Sequence, residues 1–230
     1  MSKKELLSKE SYDFNDLCEI TDLLRAPDGC PWDREQDHKS IRKGLIEETY
    51  EVVEGIDKSD DKIMCEELGD LLLQIVFHAS IAKDEGAYDI NNICDGICKK
   101  LIYRHPHVFG DVDAATSDIV LKNWEELKQK EKGQKSKSDV LDSVSSALPS
   151  LMRAQKLIKK AEIEVSEQKS TEKIIELTQK IKTSDVCDKE TLIAELLFEC
   201  GKLGNIYKLD LEQALYNKND CFCNENRKNV

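Results

Sequence analysis

No apolar run in this 230-residue chain approaches the roughly 20 residues that a membrane-spanning helix needs, so a soluble protein is expected. Basic charge is also short: 34 Lys and Arg stand against 46 Asp and Glu, a net charge of −12. Nucleic-acid grooves and anionic membrane surfaces attract basic patches, and this balance argues against both as partners. Strand signals are scarce, because no run of alternating β-branched residues occurs. The nine cysteines include no Cys-x-x-Cys pair, and the Lys-rich, Glu-bearing N-terminus lacks the pattern of a secretory signal. Reduced thiols in a cytoplasmic protein are the expectation.

What the chain does have is acid at helical spacing. Glu47-Glu48-Thr49-Tyr50-Glu51 and Glu66-Glu67-Leu68-Gly69-Asp70 each sit in an apolar pattern of helical period, on two consecutive predicted helices. At about 100° per residue, Glu48 and Glu51 lie about 60° apart around the helix axis, and Glu67 and Asp70 repeat that spacing. Two unit charges about 4 Å apart repel by roughly 4 kcal/mol at an effective dielectric near 20. Four convergent carboxylates therefore need a divalent cation or proton uptake. Oxygen donors without His or Cys favour Mg²⁺, with Mn²⁺ as a substitute, and Mg²⁺ commonly works with substrate phosphates. The plain alternative is a solvated acidic face, which a single such cluster usually is. Gly69, inside the second helix, suggests either close helix approach or tolerated weakness. A di-iron bundle would need Glu-x-x-His motifs on two helices; only Glu35-Gln36-Asp37-His38 fits, and it lies outside the acidic pair.

Periodicity predicts helices over about 13–26, 39–57, 60–84, 89–104 and 117–131, which together make a helical domain over residues 1–132. Residues 133–147, beginning in a Lys/Ser/Gly-rich stretch, are the expected linker. Further helical patterns over about 148–160, 171–182, 189–203 and 208–218 give a second helical unit at 148–218, and the Asn-rich 219–230 is expected to be a disordered tail. The fold class expected is all-α, in two tandem helical units.

Four motifs occur in order: Cys30-Pro31-Trp32-Asp33, Glu47-Glu48-Thr49-Tyr50-Glu51-Val52, Glu67-Leu68-Gly69-Asp70-Leu71-Leu72 and Arg104-His105-Pro106-His107-Val108-Phe109. Together they closely resemble the MazG family of nucleoside triphosphate pyrophosphohydrolases over roughly 13–132, and Leu148 to Lys156 extends the likeness. The resemblance implies a MazG-like helical bundle that forms a homodimer, needs Mg²⁺, and splits a nucleoside triphosphate into the monophosphate and pyrophosphate. It implies Glu48, Glu51, Glu67 and Asp70 as metal ligands, with Glu47 or Glu48 orienting the attacking water. It also implies Lys100 and Arg104 as phosphate contacts and Trp124 against the nucleotide. Each of the last three has a plainer reading: Lys100 and Arg104 as helix C-terminal cations favoured by the dipole, Trp124 as core. His105 and His107 are expected to fix the chain exit by hydrogen bonding, while His38 and His78 are expected to be incidental.

The family often carries two copies of the domain, and the second half of this chain looks like an eroded one. Glu176-Leu177-Thr178-Gln179-Lys180 and Leu192-Ile193-Ala194-Glu195 stand where the acids should be, with Leu and Lys at two of the three first-cluster positions. A Lys ammonium beside a divalent ion repels it. The alternative to an enzyme is therefore a catalytically inactive, dimeric nucleotide-binding or interaction protein of the same fold.

Overall fold

The structure, a computed structural model, describes residues 3–114, 116–133 and 136–227. Among them are thirteen helices and no strand, in keeping with the all-α expectation. The chain divides into two compact units, with the boundary between residues 115 and 116.

The first unit holds α1 (Lys3–Leu7), α2 (Phe14–Arg25), α3 (Pro31–Glu35), α4 (Arg42–Asp57), α5 (Asp61–Asp84), α6 (Ile90–Arg104) and α7 (Pro106–Phe109). Its helix ends follow from local chemistry. Asp13 and Asp16 form a capping box at the start of α2, and Asp89 and Asn92 form another at α6, each satisfying backbone N–H groups left over at a helix start. Gly86, at φ 71°, supplies the left-handed residue after α5, and Pro106 follows α6. The core is small: Ile41, Phe77 and Ile81 are buried together, with Leu73 against them. Arg25 crosses Phe77 at 5.3 Å and donates to the carbonyls of Asp33 and Gln36. Cys30 N–H donates to Leu24 O, and at Gly29 a Cβ would lie 2.3 Å from that same oxygen. The segment Cys30-Pro31-Trp32-Asp33, which opens α3, is thus pinned from several sides while Trp32 stays exposed.

The second unit holds α8 (Ser117–Glu131), α9 (Lys137–Asp142), α10 (Ser150–Lys160), α11 (Glu167–Thr183), α12 (Val186–Tyr207) and α13 (Leu211–Arg227). α8, expected within the first domain, falls in this unit, where Lys160 bonds Glu125 at 2.8 Å. The segment expected as linker contains α9, because Ser136 and Asp139 make a capping box that the Lys/Ser composition conceals. The tail expected to be disordered continues α13 as far as Arg227, with Asn226 Nδ2 donating to Phe222 O; residues 228–230 lie outside those described. Gln155 ties the unit together: its side chain donates to Leu209 O at 2.7 Å and accepts from Leu211 N–H at 3.0 Å.

Candidate metal centre

α4 and α5 form a helical hairpin whose turn sets the register of the acids. Asp60 caps α5 by accepting from the N–H groups of Lys62 and Ile63, and its own N–H donates to Gly55 O. Ser59 takes the left-handed conformation at φ 52°. At Gly55 the helices approach so closely that a Cβ would stand 2.9 Å from Met64 N. Counted from Ser59, Glu51 and Glu67 are each eight residues away, and Glu48 and Asp70 each eleven. In an antiparallel hairpin with equal rise on both helices, such pairs face each other. Further along the same register, Gln74 lies over Gly44, 3.1 Å from where a Cβ would be.

The register brings a carboxylate oxygen from each of Glu48, Glu67 and Asp70 within 4.8 Å of the others. Glu48 and Glu67 are half-buried and Asp70 is exposed. Burial first, then the charge of Glu51 and a hydrogen bond with it, with Asp70 and Glu67 adding to the field, push the Glu48 carboxyl above the usual carboxylate range. Glu67 is pushed up by burial and then by Glu51, Asp70 and Glu66. Glu51 is thus electrostatically part of the group, although the oxygens that converge most tightly are those of the other three. An all-oxygen donor set in which burial and neighbouring acids raise the pKa of Glu48 and Glu67 suits a hard divalent cation.

The other expected site residues fall elsewhere. Glu47 is not in the convergent group; it pairs with Lys43 one turn back at 2.7 Å. Lys100 is half-buried and Arg104 is buried on α6. Arg104 is the last residue of that helix, and His105 closes it, with Nδ1 2.6 Å from Leu101 O and its ring against His107. Trp124 lies on α8 in the second unit, half-buried, with the Lys128 ammonium 4.7 Å from its ring centroid. The close approach that Gly69 suggested is made by Gly55: a Cβ at Gly69 would meet nothing within 4 Å. The signal that could have found Gly55 was its place four residues before the left-handed turn.

In the second unit the α11 and α12 pair keeps the packing without the acids. Leu177, expected to stand at the counterpart of Glu48, is fully buried. Glu176 is held by Lys173 at 3.0 Å and by Lys180 at 2.5 Å. Among the described residues, the group of three at Glu48, Glu67 and Asp70 is the one set placed to share an ion.

Fold and site together define an all-α protein with a carboxylate centre on a helical hairpin. Residues 36–109, which contain that hairpin, match the model of the MazG nucleotide pyrophosphohydrolase domain. The chain is 39% identical over 207 residues to the nucleoside triphosphate pyrophosphohydrolase/pyrophosphatase MazG of Thermotoga maritima, covering 88% of this chain and 79% of that protein. It is 48% identical over 145 residues to the nucleoside triphosphate pyrophosphohydrolase of Escherichia coli, covering 63% of this chain and 55% of that one. An uncharacterized protein of Bacillus subtilis, YabN, is 47% identical over 148 residues, 64% of this chain but 30% of that protein. The chain belongs to the MazG family.

Proposed function

We propose that the protein hydrolyses nucleoside triphosphates to nucleoside monophosphate and pyrophosphate, with Glu48, Glu51, Glu67 and Asp70 holding Mg²⁺, or Mn²⁺ in its place. The observation that carries this reading is the convergence of Glu48, Glu67 and Asp70 oxygens inside the segment that matches the family domain. The ion, when bound, supplies Lewis-acid polarisation of phosphate oxygens and acidifies a water. The protein's own part is to position and to balance charge. Glu48, half-buried and with a raised proton affinity, is placed to orient the attacking water, with Glu47 the adjacent candidate. Lys100 and Arg104, one turn apart on α6, offset charge on the leaving pyrophosphate.

A homodimer belongs to this reading. Leu68, Leu72 and Ile75 form an exposed apolar stripe on α5, and Ile97 and Leu101 form another on α6, which a second copy would cover. None of the described helices is long and apolar enough to cross a membrane, and the nine cysteines are unpaired, which suits a cytoplasmic setting. The second unit, with Leu177 and Lys180 in place of acids, supports the fold without catalysing. The decisive experiment follows release of pyrophosphate and monophosphate from a panel of triphosphates with Mg²⁺. Glu67→Gln and Asp70→Asn should each lose at least a hundredfold in rate while keeping the native circular dichroism spectrum. Wild-type protein that binds nucleotide by calorimetry yet releases no pyrophosphate would establish the non-catalytic alternative instead.

A further inference from the structure

The metal hairpin is closed at one end by its turn; at its open end two histidines meet. His38, in the turn that leads into α4, and His78, on α5, stack with ring centroids 5.0 Å apart and planes 12° from parallel. Their Nδ1 atoms are 2.7 Å apart. A contact of that length needs one proton between the two nitrogens, so one Nδ1 donates and the other accepts.

The surroundings decide which. His78 Nε2 is buried and has no hydrogen-bond partner among the described residues. A buried N–H without an acceptor is rarer than a buried acceptor without a donor, so Nε2 of His78 is bare and its proton sits on Nδ1. His38 Nε2 lies 3.9 Å from Glu85 Oε2, a setting that favours a proton on that nitrogen and leaves His38 Nδ1 as the acceptor.

We infer that the His38–His78 pair is an acid-sensitive clasp across the open end of the α4–α5 hairpin, held by an Nδ1–H of His78 donated to Nδ1 of His38. A first added proton can be taken by His38 only by reversing the bond, which places an N–H of His78 in a buried position with no acceptor. A second makes both Nδ1 atoms donors and breaks the contact. Charged neighbours are largely committed elsewhere: Asp84 to Arg25, Asp37 to the N–H groups of Lys39 and Ser40, and Asp22 to Ser80 and Lys83. Glu85, 3.9 Å from His38 Nε2, is the acid paired with His38 among the described residues, and its charge would favour a protonated His38. Burial, then His38, holds the His78 pKa below its ordinary value. A histidine kept neutral in the fold contributes stability that is fully present above the unfolded value of about 6.5 and is lost as pH falls below it.

The test is nitrogen-15 imidazole spectroscopy of the whole chain, with no added metal or nucleotide. The expected result is His78 in the Nδ1–H form, with a scalar coupling across the hydrogen bond to His38 Nδ1. His78 should take up its proton at a lower pH in the folded chain than in the same chain unfolded in urea. An Nε2–H form of His78, or independent titration of both rings near pH 6.5, would overturn the clasp. Thermal unfolding adds a second readout: the wild type should lose melting temperature between pH 7.5 and 5.5, and His38→Leu/His78→Leu should flatten that decline. An equal decline in both proteins would also overturn it. Neither readout depends on catalysis, so the clasp and the proposed activity can fail separately.

Discussion

At the scale of single residues, the acids of the hairpin oppose the fold that holds them. Glu48 and Glu67 are half-buried beside the exposed Glu51 and Asp70, and burial first, then the fields of those neighbours, makes each harder to ionise. Removing one charge should therefore relieve the metal-free protein. Glu48→Gln is expected to raise the melting temperature in chelator; if the proposed Mg²⁺ site is right, added Mg²⁺ should stabilise the wild type and not this variant, measured by thermal unfolding with and without the ion. The two hairpin glycines should respond in opposite directions. Gly55→Ala forces a Cβ against backbone at 2.9 Å and should cost about 1–3 kcal/mol. Gly69→Ala meets open space and should gain up to about 1 kcal/mol from helix propensity; chemical denaturation of both variants checks the sign. The acidic spacing was legible from one-dimensional sequence because i, i+3 geometry is local. Which glycine marks the crossing was not, because that depends on where the partner helix runs.

At the scale of elements, caps and turns set the register that the apolar pattern leaves loose. The start of α2 is the most heavily bonded cap in the first unit. Asp16 receives Lys9 Nζ at 2.5 and 2.6 Å and the N–H of Asp13 at 2.9 Å. The bond from Lys9, then the one from the Asp13 backbone, holds its carboxyl below the usual range. A carboxylate with a lowered folded pKa contributes stability above its unfolded value of about 3.9, lost as pH falls through the folded value. Asp16→Asn should thus be less stable than wild type at pH 7, and the gap should close on acidification below about pH 4, as urea midpoints across pH would reveal. The Ser136 capping box and the continuation of α13 were missed because Ser and Asn favour turns and caps over helix interiors. Specific side-chain bonds decided them.

At the scale of the whole chain, the apolar stripes on α5 and α6 connect packing to the proposed activity. Leu72 and Ile97 are large, apolar and exposed, where a chain folding alone would gain by burying them. Leu72→Glu is expected to turn the proposed dimer into monomer in sedimentation experiments. Activity should fall in parallel if the second copy completes the site. The chain spans 79% of the Thermotoga maritima protein but 55% and 30% of the Escherichia coli and Bacillus subtilis ones, so the shared element common to all three is best sought in the segment that matches the family domain.

The sequence by itself determined the all-α class, the hairpin and the acid spacing, because helical period and capping are properties of neighbours along the chain. Tertiary structure alone decided that, of the four acids expected to converge, the oxygens of Glu48, Glu67 and Asp70 come closest while Glu47 turns to Lys43, that Gly55 rather than Gly69 lies at the crossing, and that His38 and His78 meet. Those outcomes depend on the register between helices, which a single turn at Ser59 and Asp60 fixes and which no local pattern encodes.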